Sequence, residues 1–301
     1  MLPKLFVIIV TYKGHQWYER CFASLRNSEY PVQTIVIDNA SNDGTVEYIR
    51  EHFPEIHLIE SKENLGFGRA NNLGMRYALD HDCDYVFLLN QDAWLDSPDT
   101  LKKLVDIYKT HPEYGILSPM HLNVQKKGLV MEYFCRRPDN KKLIEDLYLN
   151  QLTDIYDTQY IHAAAWMLSR NTLETIGGFN PIFYHYEEDG DYLNRVIYHG
   201  LKIGVCPASR IIHDHQEKEQ TKENVLLRHN QLKIVEYVNL NNPFNPNAYL
   251  RYYIRKWFMA RCNGLASLAK QYKHDIKFLK ENKCKLQENR AKNKKQGANW
   301  L

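Results

Sequence analysis

The chain has 301 residues, of which 44% are hydrophobic and 25% charged, so it is ample for a packed core and neither disordered nor fibrous. The apolar runs reach six residues, Leu5 to Val10 and Ala163 to Leu168, far short of the roughly 18 needed to cross a bilayer. The net charge of +3 hides an asymmetry: from residue 251 onward 14 Lys and Arg face three acids, while the remainder holds 25 bases against 33 acids.

In chain order, the first 95 residues repeat an apolar β-rich run, a polar turn and an amphipathic stretch of helical length. Leu5 to Val10 is read as a buried strand followed by a helix from Gln16 to Asn27. Thr34 to Ile37 is the second strand, with a helix over Thr45 to His52 after the turn Ser41-Asn42-Asp43-Gly44. Ile56 to Glu60, a helix over Gly68 to His81, and Tyr85 to Leu89 complete the series. Alternation of this kind predicts a parallel sheet with right-handed crossovers and ligands beyond the carboxyl ends of the strands.

Residues 97–110 read as a helix opened by Ser97-Pro98-Asp99. Residues 120–160 are polar and weakly periodic, and are expected to form a variable segment covering a site. Ile161 to Leu168 is an apolar run, Arg170 to Ile176 a helix closed by Gly177-Gly178, and Glu187-Glu188-Asp189-Gly190-Asp191 opens a helix running to His199. Leu201 to Cys206 is the last predicted strand. Beyond residue 220 the pattern is helical. The six cysteines have no short paired spacing, so free thiols are expected rather than a zinc knuckle or a disulfide framework. The first apolar run is short and enters Thr11-Tyr12-Lys13 without a small-residue cleavage site, which predicts a cytoplasmic chain.

Four polar clusters follow predicted strands. Asp38 could accept hydrogen bonds from a ribose or nucleobase, and suits an N-cap or Asx turn equally well. In Asn90-Gln91-Asp92 a carboxylate at a strand end could hold a divalent cation whose other ligands are phosphates and water, or simply make a turn. Glu188, Asp189 and Asp191 converge, so that one carboxylate could be poised to take a proton; acids are also favoured there by the helix dipole. His213-Asp214-His215 could give an imidazole to a metal or lie on a surface strand.

Taken together and in this order, these residues resemble the inverting glycosyltransferase family 2, in its rhamnosyltransferase-like branch. The resemblance rests on Val10-Thr11-Tyr12, on Asp38 through Thr45, and on the run Asn64-Leu65-Gly66-Phe67-Gly68-Arg69-Ala70-Asn71-Asn72. It continues through Leu88-Leu89-Asn90-Gln91-Asp92, Gly177-Gly178-Phe179 and Tyr186 through Tyr192, with His213 placed 24 residues after Asp189. It covers about residues 3–215. It implies an α/β fold of the GT-A type, a Rossmann-like, mostly parallel central sheet flanked by helices. The expected organisation is a catalytic unit over residues 1–220, with a nucleotide-sugar half to about 95 and an acceptor half beyond. A basic helical extension over 221–301 follows.

The resemblance further implies a dTDP- or UDP-sugar donor, with rhamnose among its sugars, and a divalent metal, Mg²⁺ or Mn²⁺. The acceptor would be a saccharide or lipid-linked saccharide in cell-surface polysaccharide biosynthesis. By position, Thr11, Tyr12, Asp38, Asn64, Gly66, Arg69 and Asn90 are assigned to the nucleotide, and Asp92 and His213 to the metal. Asp189 is assigned as base with Glu188 as its neighbour, and Asp191 and Trp166 to the acceptor. Two positions depart from the family pattern: Asn90 stands where an Asp-x-Asp motif usually begins, and Lys13 where an Asn usually follows Thr-Tyr.

Inversion requires a base on the face opposite the diphosphate, and the departing diphosphate needs its charge stabilised. A nucleotidyltransferase or a nicotinamide-dependent dehydrogenase would place a Gly-rich phosphate loop after the first strand, and Val10-Thr11-Tyr12-Lys13-Gly14 is none. A catalytically silent nucleotide-sugar-binding protein is the remaining alternative, favoured only by the single metal carboxylate. In the tail, Leu250, Ile254, Trp257, Phe258, Leu265, Leu268, Tyr272, Ile276 and Leu279 recur at helical spacing between flanking bases. That stripe either packs on the body or another subunit, or lies on an anionic membrane through residues 250–295, at the inner face of the cell membrane. Nucleic acid is the weaker partner for an acidic body without a recognised binding motif.

Overall fold

The computed structural model describes residues 2–125, 128–129, 141–214 and 221–301. Cys135 and His215 lie outside them. Strand β1 (Leu5–Thr11) is buried on both faces, as its unbroken apolar run requires: Phe6 and Ile8 enter one core layer, Leu5, Val7 and Ile9 the other. It pairs in parallel with β2 (Val32–Asp38) and β4 (Tyr85–Leu89), and β2 pairs with β3 (His57–Glu60). The crossovers are α1 (His15–Arg26), α2 (Thr45–His52) and α3 (Phe67–Asp80). Helix α1 presents Tyr18, Cys21, Phe22 and Leu25 to one face of the sheet, and α3 presents Ala70, Met75 and Ala78 to the other.

Beyond β4 the sheet becomes mixed. Short β5 (Ala93–Leu95) is followed by α4 (Thr100–Thr110), β6 (Tyr114–Leu122), α5 (Lys141–Leu149), β7 (Tyr156–Asp157), β8 (Ala165–Ser169), α6 (Arg170–Ile176), α7 (Glu188–Tyr198) and β9 (Lys202–His213). Strand β8 inserts antiparallel between β4 and β6, giving the order β3-β2-β1-β4-β8-β6-β9-β5 with β7 beside β9. The parallel arrangement read from the sequence therefore holds for the first four strands, and the second half is set by tertiary pairing. Strand β9 runs to His213, past the expected end at Cys206, because Ile211–His213 pair with β5.

The remainder forms α8 (Lys222–Val238), α9 (Pro246–Cys262) and α10 (Ala266–Asn293). Thr221 and Asn245 cap α8 and α9 by accepting backbone N–H bonds. These helices share a third core with the sheet-bearing body, in which Phe183 packs with Tyr237, Val238, Tyr253, Leu279 and Leu286. The end of α10 returns to the body: Asn293 donates to Asp191 in α7 at 3.0 Å, and Gly178 N–H donates to the Asn299 carbonyl at 2.8 Å. Among the described residues no helix is long and apolar enough to cross a membrane.

Candidate active site

The carboxyl ends of β1, β2 and β4 meet at one rim of the sheet. Thr11 and Asp38 are register partners, and the Thr11 hydroxyl donates to Asp38 Oδ1 at 3.1 Å while Ser41 N–H donates to Oδ2 at 2.9 Å. Thr11 is fully buried and holds the Asp38 carboxylate through this bond. Tyr12 is exposed, and its backbone is held at both groups by one side chain: Tyr12 N–H donates to Gln91 Oε1 at 2.8 Å, and Gln91 Nε2 donates to the Tyr12 carbonyl at 3.1 Å. Gln91 thus ties the first loop to the β4 end. Next to it, Lys13 adopts a left-handed backbone, with φ of 49°, and its ammonium lies 5.3 Å from the Tyr12 ring centre.

Asn39 organises the neighbouring turn. Its amide donates to Asn64 Oδ1 at 3.0 Å and its oxygen accepts from Leu65 N–H at 2.7 Å, while Asn64 Oδ1 also accepts from Gly66 N–H at 2.9 Å. Gly66 is required here twice over: its φ is +77°, and a Cβ would stand 2.2 Å from the Tyr184 carbonyl oxygen. Arg69 is exposed and donates to the Pro181 carbonyl at 3.1 Å. The segment leading into α7 is thereby laid against the turn that carries Asn64, Gly66 and Arg69. Asn90 is half-buried, its backbone N–H bonded to the Ala164 carbonyl at 2.9 Å.

Asp92 and His213 come together as expected, with His213 Nε2 at 3.5 Å from Asp92 Oδ1. Pairing of Ala93 with His213 and the bond from Asp214 N–H to the Asp92 carbonyl at 2.9 Å fix this approach. The donor set is one carboxylate and one imidazole, which fits a divalent cation that takes its remaining ligands from a diphosphate and water. Among the described residues no group of three or more His, Cys, Asp or Glu is arranged to hold a metal by itself. Two further imidazoles, His121 and His162, have ring centres 5.9 and 5.8 Å from that of His213. Burial, then the His213 and His162 charges, hold His121 well below the usual imidazole range, so it is neutral. Sequence reading missed both: His121 falls in the poorly legible segment, and His162 lies inside the run Ile161 to Leu168 without any motif around it.

Helix α7 opens with Tyr186 and Glu187 both at positive φ, 71° and 65°. Such backbone is costly for side chains of this size and is found where surrounding structure imposes it. The turn delivers Glu188 and Asp189 to the first turn of the helix, where the dipole favours negative charge. Glu188 is 7% exposed, and its Oε2 has no hydrogen-bond partner among the described residues. Burial, then the neighbouring Asp189 and Glu187, push its pKa up to about 8, so it is protonated at neutral pH. Asp189 is half-buried and accepts from Gly190 N–H at 2.8 Å.

Asp191 and Trp166, assigned from the sequence to the acceptor, are both buried. Asp191 is buried against Arg195 Nε at 2.8 Å and Asn293, and Arg195 also donates to the carbonyls of Ile176 at 2.7 Å and Gly178 at 2.9 Å. That network locks α7 to the Gly177-Gly178 turn and the end of α10. Trp166 is fully buried, with its ring stacked on Phe179 and tilted against Tyr192. Trp166 lies in the core layer with Phe179 and Tyr192, and Asp191 in the polar network of Arg195 and Asn293.

The model of the family described as glycosyl transferase family 2 matches residues 6–177, more than half of the chain. A low-salt glycan biosynthesis hexosyltransferase of Haloferax volcanii is 27% identical over 227 residues, covering 74% of this chain and 70% of its own length. The N-acetylglucosaminyl-diphospho-decaprenol L-rhamnosyltransferase of Mycobacterium tuberculosis is 25% identical over 237 residues, covering 71% of this chain and 76% of its own. Among solved structures, GalNAc-T7 with UDP, GalNAc and Mn²⁺ superposes with a TM-score of 0.60 at 14% identity, over 81% of this chain and 52% of that one. S. aureus TarS with UDP gives 0.55 at 16% identity, over 80% and 67%. The rim of loops, the glycine turn and the acidic helix start therefore belong to a glycosyltransferase of GT-A fold, and this chain is a member of glycosyl transferase family 2.

Proposed function

We propose that the chain transfers a hexose or deoxyhexose, with rhamnose the leading candidate, from a dTDP- or UDP-sugar to a hydroxyl of a saccharide or lipid-linked saccharide, with inversion. The observation that carries this reading is the acidic start of α7, where the positive-φ turn at Tyr186 and Glu187 delivers Glu188 and Asp189 beside the segment packed on the Gly66 turn. Glu188 is buried and Asp189 half-buried, so Asp189 is the more accessible of the two carboxylates. In the proposed step Asp189 accepts the proton of the acceptor hydroxyl as its oxygen bonds to the anomeric carbon. The bond from that carbon to the diphosphate oxygen breaks, and its electron pair leaves with the nucleoside diphosphate.

On the donor side, Asp38, Tyr12, Asn64, Gly66, Arg69 and Asn90 are the proposed nucleotide-sugar contacts, with Thr11, Asn39 and Gln91 holding them in place. A divalent cation bound at Asp92 and His213 would neutralise charge on the departing diphosphate. The proposed organisation is a catalytic unit over residues 1–220 braced by the helices of residues 221–301. Relatives supply the substrate class: the mycobacterial relative is named for a lipid-linked saccharide acceptor, and a Shigella flexneri relative is a dTDP-rhamnosyl transferase. A lipid-linked acceptor would lie at a membrane surface, and the inner face of the cell membrane is the proposed location.

The test is a thermal-shift screen of dTDP- and UDP-sugars with and without Mn²⁺, followed by NMR of the product's anomeric configuration. A ligand that binds only the native state raises the melting temperature. Stabilisation by one nucleotide sugar, with hydrolysis or transfer of it, is expected. A nucleotide sugar that stabilises the protein yet is never consumed would make it a silent binding protein.

A further inference from the structure

Helices α9 and α10 form a hairpin whose turn is tight. Gly264 sits in the left-handed region at φ +68°, and Leu265 N–H closes onto the Ala260 carbonyl at 2.9 Å. The turn divides the apolar stripe of the tail into two populations. Tyr253, Ala260, Ala269, Leu279 and Leu286 are buried between the helices or against the body. Around the turn the stripe faces outward instead: Phe258 is 62% exposed, Leu265 50%, Met259 46% and Ile254 43%, with Leu268 beside them. Isolated exposed apolar side chains are ordinary, but these five fall within residues 254–268, on the two helix ends that the turn joins.

The charge around the same tip is of one sign. From Tyr237 to His274 there is no Asp or Glu, and the bases are Arg251, Arg255, Lys256, Arg261, Lys270 and Lys273. Arg261, Lys270 and Lys273 line an open cavity of about 410 Å³ together with Trp257, Gly264 and Ala269. Arg261 stacks over the Trp257 ring at 5.6 Å, which holds a guanidinium at the cavity mouth.

We infer that the tip of the α9–α10 hairpin is a docking surface for an anionic lipid bilayer. Phe258, Met259, Ile254, Leu265 and Leu268 enter the boundary between headgroups and acyl chains, and the surrounding bases take the lipid phosphates, one of them in the cavity beside Trp257. Charge complementarity selects this occupant. A second copy of the tip would bring six bases against six bases with no acid between them, and a nucleic acid would leave the aliphatic side chains unused. The surface is narrower than the span over residues 250–295 expected from sequence, because α10 beyond Tyr272 is committed to packing on one face. The inference does not depend on the chemistry at Asp189, since its readout needs no sugar substrate.

The experiment is flotation of the full chain with vesicles of phosphatidylcholine alone, or of phosphatidylcholine containing one-third phosphatidylglycerol, at low and high salt. The wild type should float only with the anionic vesicles and be released by salt. Phe258→Ser with Leu265→Ser should reduce partitioning roughly tenfold. Arg255→Gln with Lys270→Gln should reduce it by roughly fivefold per base. Lys283→Gln with Lys285→Gln, on the far part of α10, should leave it unchanged. All the substituted side chains are exposed or half-exposed, and unchanged circular dichroism and melting temperature will confirm the fold in each variant. Absence of flotation by the wild type, or loss as large in the Lys283/Lys285 pair as in the tip variants, overturns the proposal. So does a tip that instead drives dimerisation, or that binds duplex DNA in preference to the vesicles.

Discussion

Replacing Glu188 by glutamine tests the electrostatics of the site through stability rather than through turnover. In the folded protein the carboxyl is buried and ionises at about 8, against 4.5 for an unperturbed glutamate. Between these values the folded protein holds a proton that the unfolded chain has released. The contribution of Glu188 to stability is therefore fully present below pH 4.5 and is lost as pH rises through about 8. At about 1.4 kcal/mol for each pH unit of separation the ceiling is about 5 kcal/mol. Glutamine has the same shape and no charge to lose. Urea denaturation of both proteins from pH 5 to pH 9 should show Glu188→Gln gaining steadily on the wild type as pH rises to about 8, by at most about 4 kcal/mol, and no further above it. Parallel stability profiles would refute the neutral Glu188.

Four other outcomes follow from the geometry. Asp189→Asn should keep donor affinity and lower turnover by about 10²–10⁴, and full turnover in it together with loss in Glu188→Gln would move the base by one residue. Asp92→Ala should weaken Mn²⁺-dependent binding of UDP- or dTDP-sugars in calorimetry while the melting temperature stays unchanged; equal Mn²⁺-dependent affinity would remove Asp92 from the metal site. Gln91→Ala frees both backbone bonds to Tyr12, so donor Kd should rise about fivefold to tenfold with little change in urea midpoint. Arg195→Met leaves Asp191 buried without its cation and should cost about 3–5 kcal/mol in urea unfolding, which a surface ion pair would not.

The first half of the fold was readable because its strands are apolar runs bounded by polar turns. Helix α2, strand β4 and helix α6 end where the pattern ends. Strand β6 was hidden because Ser118, Pro119 and His121 interrupt its apolar character, and its register does shift at Pro119. Insertion of β8 between β4 and β6 leaves no local trace, since the partner of a strand is chosen by distant packing. At the site, the motif positions found their neighbours, yet the clamps did not announce themselves: Gln91 on Tyr12 and Asn39 on Leu65 act across 79 and 26 residues. The burial of Asp191 was not legible, since it stands two residues from Asp189 and two residues on a helix turn a side chain through about 200°. The burial of Trp166 was not legible because an apolar strand near a polar rim does not reveal which of its faces is covered.

The bond between Asn293 and Asp191 spans 102 residues, and this sets a schedule for the nascent chain. At a synthesis rate of about 5–20 residues per second, α7 emerges roughly 5–20 seconds before the helix that completes its polar network. During that interval Asp191 and Arg195 have each other but lack the amide from Asn293, and the Gly177-Gly178 turn lacks the backbone at Asn299. The first four strands pair early, through contacts among β1 to β4. Helix α7 waits for the last stretch of translation, so a ribosome that stalls within α10 would leave a chain whose first four strands are paired while α7 still lacks its final anchor.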